Sequence, residues 1–227
     1  MRKFPAQSPR GFWYRFISGI LRPLLLAATS RDWRGGHYLR VDRGIVVAMN
    51  HLSWYDPLVA AHFVNDNGRP VRFLAKAEIF KVPLLGAILK SAGQIPVQRG
   101  NSDAAAGSLR AAFTAIEDKQ CVVIYPEGTL TRDPQLWPMT AKTGAARIAL
   151  MTGAPVIPAA QWGPQEVIAP YGKRISLFPR KTMHVWAGPE VDLADLRALP
   201  VTATTLREAT ERIMRDITNI LAQQRGE

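Results

Sequence analysis

His51 and Asp56 lie within the stretch Gly44–Pro57, GIVVAMNHLSWYDP, and are the pair in this chain best suited by type and spacing to acid–base chemistry. An imidazole has an ordinary pKa of about 6.5, so it can accept a proton near neutrality. A carboxylate beside it fixes its tautomer and orientation. On one continuous helix, residues five apart would point about 140° away from each other. The local sequence argues for a different setting. Ile45–Met49 is a short apolar run that reads as a buried strand. Asp56-Pro57 reads as a helix start, with Asp at the cap and Pro at the first helical position. Across a strand–loop–helix junction the chain can fold back and bring the carboxylate to the imidazole. For Asp56 by itself, simple helix capping is a sufficient account.

The elements around this junction alternate. Val71–Ala75, Gln94–Gln98, Cys121–Tyr125, Val156–Ala160 and Thr182–Ala187 read as further strands. Helices are expected over Pro57–Val64, around Ile79–Leu89, from Asn101 or Ser102 to about Ile116, and over Thr140–Met151. A last helix is expected from Thr205, with Thr205 and Glu208 as a capping box and Leu206, Ala209, Ile213, Ile217 and Ile220 as its buried stripe. Gly163–Lys173 reads as a surface loop. This alternation implies an α/β domain with a mainly parallel central sheet flanked by helices. In such sheets ligands bind outside the carboxyl ends of the strands. His51, Arg99 and Glu127 each follow a strand, so topology predicts that they converge on one edge.

Four segments, in order, carry a resemblance. His51-x4-Asp56 at a strand exit, Gln94–Arg99 (QIPVQR), Tyr125–Thr129 (YPEGT) and Val156–Ala159 (VIPA) resemble the four motifs of the glycerolipid acyltransferases. Within that group they look most like the 1-acylglycerol-3-phosphate (lysophosphatidate) acyltransferases. The third motif has Tyr125 where the family usually has Phe, and the resemblance covers about residues 44–162. It implies that His51 is the general base and Asp56 its orienting group. The acceptor hydroxyl would attack an acyl thioester, from coenzyme A or acyl carrier protein, without an enzyme nucleophile. Ser53 lies inside the motif, but a covalent acyl-serine is the weaker reading, since the chain has no Gly-x-Ser-x-Gly elbow. The resemblance assigns Arg99, Glu127, Gly128 and Thr129 to the acceptor site, with Lys76 as a second phosphate candidate and Lys142 as a third. Arg99 suits a bidentate phosphate contact. Glu127 would repel a phosphate, so it suits the glycerol hydroxyl or the orientation of Arg99. Gly128 would allow close backbone approach. Arg132 and Asp133 read as solvated loop residues. No metal or redox cofactor is implied, and no zinc-type Cys/His spacing exists. A long acyl chain needs an apolar slot; Phe80, Val82, Leu84, Leu85, Ile88 and Leu89 are candidates, although core packing suits most of them as well.

The chain has 227 residues, 47% of them hydrophobic, which is enough for a sizeable core. The single cysteine, Cys121, lies in an apolar run and reads as a core residue in a reducing compartment. The formal charge is +11. Residues 1–43 hold nine basic residues against Asp32 and Asp42, more than half of the excess, which points to an anionic partner. In that segment Trp13, Phe16, Ile17, Ile20, Leu21, Leu24, Leu25 and Ala28 form a helical stripe. Arg15, Arg22 and Pro23 break the apolar run, which is too short and too charged to span a bilayer, and Pro23 predicts a kink or two short helices. The expected organisation is a basic amphipathic membrane-docking segment over 1–43 and a catalytic α/β domain over 44–227, held peripherally or monotopically at the cytoplasmic face of a membrane. Aromatics on a helical stripe favour lipid over nucleic acid as the anionic partner. Two other readings stay open: an acyltransferase for another lipid or glycolipid alcohol, and a non-catalytic basic module for membrane or nucleic acid.

Overall fold

The computed structural model describes residues 12–97 and 102–227. A seven-stranded sheet runs through the molecule in the order β1-β7-β6-β2-β5-β3-β4. The strands are β1 (Thr29–Arg34), β2 (Ile45–Met49), β3 (Val71–Lys76), β4 (Ile95–Val97), β5 (Cys121–Ile124), β6 (Val156–Trp162) and β7 (Lys181–Ala187). Every neighbouring pair is parallel except β6 and β7. The mainly parallel α/β architecture read from the alternation is therefore what forms.

β2 is central and all five of its residues are buried. Val46 and Ala48 face one core with α4 (Ser102–Glu117), α5 (Gly144–Thr152) and α8 (Ala203–Arg225). Ile45, Val47 and Met49 face a second core with α2 (Asp56–Asp66). A strand covered on both faces needs apolar residues at every position rather than alternate ones, which is why GIVVAM is continuous. At its entry Gly44 passes so close to the chain that an added Cβ would lie 2.0 Å from the carbonyl oxygen of Ile116.

Several expected elements take other forms. Residues 29–34, assigned from sequence to the basic segment, are the edge strand beside β7, so the folded unit begins ahead of the expected boundary at residue 43. The helix α1 (Phe12–Ala28) runs through Pro23 as one piece and does not break in two. It loses one hydrogen bond at the proline, and its inner side is held by buried Leu25 and by Arg22, whose Nε donates to Asp66 Oδ1 at 3.2 Å. Asp66 also accepts from Arg31 at 2.6 Å and Trp33 Nε1 at 3.1 Å, so one carboxylate joins α1, β1 and α2.

The helix expected around Ile79–Leu89 is a 3-10 turn over Ala77–Lys81 followed by α3 (Leu85–Ser91). Pro83 pushes Val82 into an extended conformation, which ends the first turn. The helix expected from Thr140 begins at Gly144. α8 begins at Ala203, capped by Thr202 in a reciprocal box with Thr205, so Thr205 is the third helical residue and Glu208 plays no part. Its stripe closes on Leu221 in place of the half-buried Ile220. The expected loop after Gly163 opens with a short helix, α6 (Pro164–Val167), and a further short helix, α7 (Ala194–Arg197), precedes α8. Arg69 is a buried cation with no carboxylate in an ion pair with it among the described residues; its guanidinium donates to the carbonyls of Leu39, Val41, Arg43 and Lys119, pinning the loop ahead of β2.

Candidate active site

The parallel register brings the ends of β2, β5 and β3 to one edge, with Ala48 beside Ile124 and Phe73 beside Val123. Asn50 leaves β2 locked to β6 by three hydrogen bonds with Gln161, two through side-chain amides to backbone carbonyls and one from the Gln161 amide to Asn50 Oδ1 at 2.8 Å. That clamp fixes where His51 emerges.

His51 Nδ1 and Asp56 Oδ2 are 2.7 Å apart. The same oxygen accepts from the amides of Leu52 at 2.5 Å and Ser53 at 2.8 Å. Asp56 is thus the first residue of α2 and not its cap: the carboxylate turns back into the loop and holds it closed. Burial raises the Asp56 pKa, with the His51 contact and the two amides pulling the other way. With Oδ2 an acceptor, Nδ1 carries the proton, and Nε2 is the ring nitrogen left for a substrate. The other Asp56 oxygen is buried without a partner among the described residues.

Tyr125 lies flat on the imidazole, with centroids 4.1 Å apart and planes 15° off parallel, and Phe73 continues the stack. Glu127 is buried, and its two oxygens accept from the amides of His51 and Met139, each at 3.0 Å. Burial raises its pKa against those two bonds. Glu127 therefore fastens the histidine's backbone to the irregular segment 130–143. Each of its oxygens thus holds a backbone amide, a task no motif spacing shows. Thr131 completes the tie by donating its amide to the His51 carbonyl at 2.8 Å. Gly128 has φ 69°, a left-handed conformation that suits glycine, and a Cβ there would sit 3.3 Å from the Lys142 side chain.

His51 opens onto a cavity of about 680 Å³. Lys76, Gly128, Thr129 and Lys142 line it near the strand ends; Leu21, Leu25, Leu58, Leu85, Ile88 and Leu89 make its apolar walls. Of the six candidate slot residues, Leu85, Ile88 and Leu89 face the cavity, Phe80 is buried, and Val82 and Leu84 are exposed, neither slot nor core. Arg99 lies outside the described residues. Ser53 is fully buried, donates to the carbonyl of Ile168 at 2.7 Å and accepts from the amide of Tyr55 at 3.0 Å, so its hydroxyl is structural. Asp133 is a half-buried loop residue with a structural task as well: its Oδ1 accepts from the amides of Gln135 and Trp137. Among the described residues no three His, Cys, Asp or Glu side chains gather as a metal site.

Sequence reasoning missed Tyr125 as the platform for His51, and Gln161 as the clamp on Asn50. A glutamine in the otherwise apolar run after Val156 was the available signal for the second.

A profile of the acyltransferase family matches residues 31–162. The chain belongs to the acyltransferase family. Among its relatives, the 1-acyl-sn-glycerol-3-phosphate acyltransferase of Bacillus subtilis is 28% identical over 92% of this chain and 99% of its own length. A chloroplastic enzyme of the same description from Brassica napus is 28% identical over 56% of this chain, which spans about a third of that protein. In fold, this acyltransferase is similar to the crystal structure of the 1-acyl-sn-glycerophosphate acyltransferase PlsC from Thermotoga maritima. The TM-score is 0.69 at 22% identity, covering 92% of this chain and 79% of that one.

Proposed function

We propose that this acyltransferase moves a fatty acyl group from a coenzyme A or acyl-carrier-protein thioester to the free hydroxyl of a lysophosphatidate-type acceptor, as a step of phospholipid synthesis. The reading is carried by one observation: His51, held by Asp56, lines a largely apolar cavity that Lys76 and Lys142 also line. The names of the curated relatives support the acceptor.

In the reaction, Nε2 of His51 takes the proton of the acceptor hydroxyl as its oxygen attacks the thioester carbonyl. Asp56 stabilises the imidazolium that forms. The tetrahedral intermediate collapses, the carbon–sulfur bond breaks, and the thiolate leaves with the proton returned from the imidazolium. The lysines and Arg99 would hold the acceptor phosphate, and the cavity would take an acyl chain, with each buried methylene contributing about 0.8 kcal/mol. The protein would work at the cytoplasmic face of a membrane, peripherally or monotopically. Among the described residues no helix is long and apolar enough to cross one, and α1 exposes Phe16, Ile20 and Leu24. The test is thiol release from an acyl thioester with lysophosphatidate present. A rate equal to wild type in His51→Ala would overturn the assignment.

A further inference from the structure

The segment Lys173–Lys181, KRISLFPRK, has a composition the acyl-transfer chemistry does not use. Phe178 is 87% exposed and Ile175 63%, the former the most exposed large apolar side chain among the described residues. Lys173, Arg174, Arg180 and Lys181 surround them, and no acidic residue occurs between 167 and 189.

The segment is held in place despite that exposure. The Ser176 amide donates to the Val167 carbonyl at 2.8 Å, and Leu177 packs on the core beneath. Arg180 reaches the end of α1, where its guanidinium donates to the carbonyls of Leu26 at 2.6 Å and Thr29 at 2.9 Å. The loop is thereby fixed two residues past Leu24, the last of the large apolar side chains that α1 exposes. The chain just ahead of the segment is tied to the loop that carries His51 and to the segment after Thr129: the Ile168 carbonyl takes the Ser53 hydroxyl, and Tyr171 donates to the Leu130 carbonyl at 2.7 Å.

We infer that residues 173–181 form a second contact with an anionic bilayer, in which Ile175 and Phe178 enter the headgroup region while Lys173, Arg174 and Lys181 meet lipid phosphates. The inference rests on the reading of the acceptor as a membrane lipid. Exposed apolar side chains flanked in sequence by basic residues, with no acidic residue between 167 and 189, match an anionic interface. A nucleic-acid surface would need several aromatics for base stacking, and this loop offers one. Gripping the α1 end, the loop would set the angle at which the catalytic edge meets the membrane, which α1 alone would leave free to rotate.

The test is vesicle flotation of the full chain on phosphatidylcholine and on mixed phosphatidylcholine–phosphatidylglycerol vesicles. I175S/F178S is expected to weaken partition onto both vesicle types by about tenfold. K173S/R174S/K181S is expected to weaken partition onto the anionic vesicles alone, by about fivefold for each charge removed. Both variants should retain the wild-type rate with a short-chain, water-soluble lysophosphatidate, which establishes that they are folded. If either floats as wild type does, or if wild type floats with neither vesicle, the loop contact is wrong. Failure of wild type to acylate the soluble acceptor would instead overturn the proposed reaction, whatever the flotation result.

Discussion

Two histidine–aspartate pairs occur in this molecule at nearly the same distance. His51 Nδ1 lies 2.7 Å from Asp56 Oδ2, and His184 Nδ1 lies 3.0 Å from Asp32 Oδ2. Their surroundings differ. Asp56 is fully buried, its one bonded oxygen serves the imidazole and two loop amides, and the imidazole fronts a cavity. Asp32 and His184 face each other across β1 and β7, both about one-third exposed. Trp186 Nε1 and Arg34 also bind Asp32, and Arg34 lies over the Trp186 ring at 3.8 Å. Burial pushes the Asp32 pKa up, but the bonds from His184, Trp186 and Arg34 outweigh it and leave it lowered. A short His–Asp contact therefore does not by itself tell the two pairs apart. What separates the pairs is a desolvated carboxylate and an imidazole that lines a cavity.

The comparison is broken most directly by removing each histidine. His51→Ala should lower kcat/KM for thiol release by about 10²- to 10⁴-fold, whereas His184→Ala should leave it at the wild-type value. Loss of activity in both would show that the difference in setting does not matter. Asp56→Asn should cost about 10²-fold or more, because the imidazolium then faces no carboxylate. Its stability should move the other way. A carboxyl whose folded pKa is raised above 3.8 stabilises the fold below that value and loses the contribution as pH rises through the folded pKa. Removing the charge should therefore give a Tm at pH 7 no lower than wild type, as read by calorimetry.

Glu127→Gln is expected to have a smaller effect, since one of two backbone donors would then face an amide N–H₂; a leftover buried donor costs about 1–3 kcal/mol, visible in denaturant unfolding. Asp32→Asn should have the least effect. With its pKa lowered, Asp32 contributes stability above pH 3.8 that is lost as pH falls through the folded value. The variant should be slightly less stable than wild type near neutrality, with the gap closing below pH 3.8.

The site was legible in the sequence where strands buried on both faces deliver polar residues at their ends. GIVVAM before Asn50-His51 and CVVIY before Pro126-Glu127 are apolar at every position, and the parallel register does the rest. The edge strand Thr29–Arg34 was not legible, because TSRDWR has one buried residue in six and its pairing with β7 spans 152 positions, as in Asp32–His184. The role of Glu127 was hidden for a related reason. Its second partner, the Met139 amide, lies in a segment whose order comes from distant side chains, including Arg225, which stacks over Trp137 and donates to the Gln135 carbonyl. Asp56 meets His51 across the junction, as the fold-back read from the sequence allowed, but its second task, closing the loop through Leu52 and Ser53, depended on a turn geometry no spacing reveals.

Ser53 leaves a consequence for how this protein would respond to chemical probes. With its hydroxyl committed at both ends and wholly sheltered, a fluorophosphonate that titrates serine hydrolases should find nothing to label. Turnover without an acyl-enzyme requires both substrates to be bound together, so double-reciprocal plots should intersect and not run parallel.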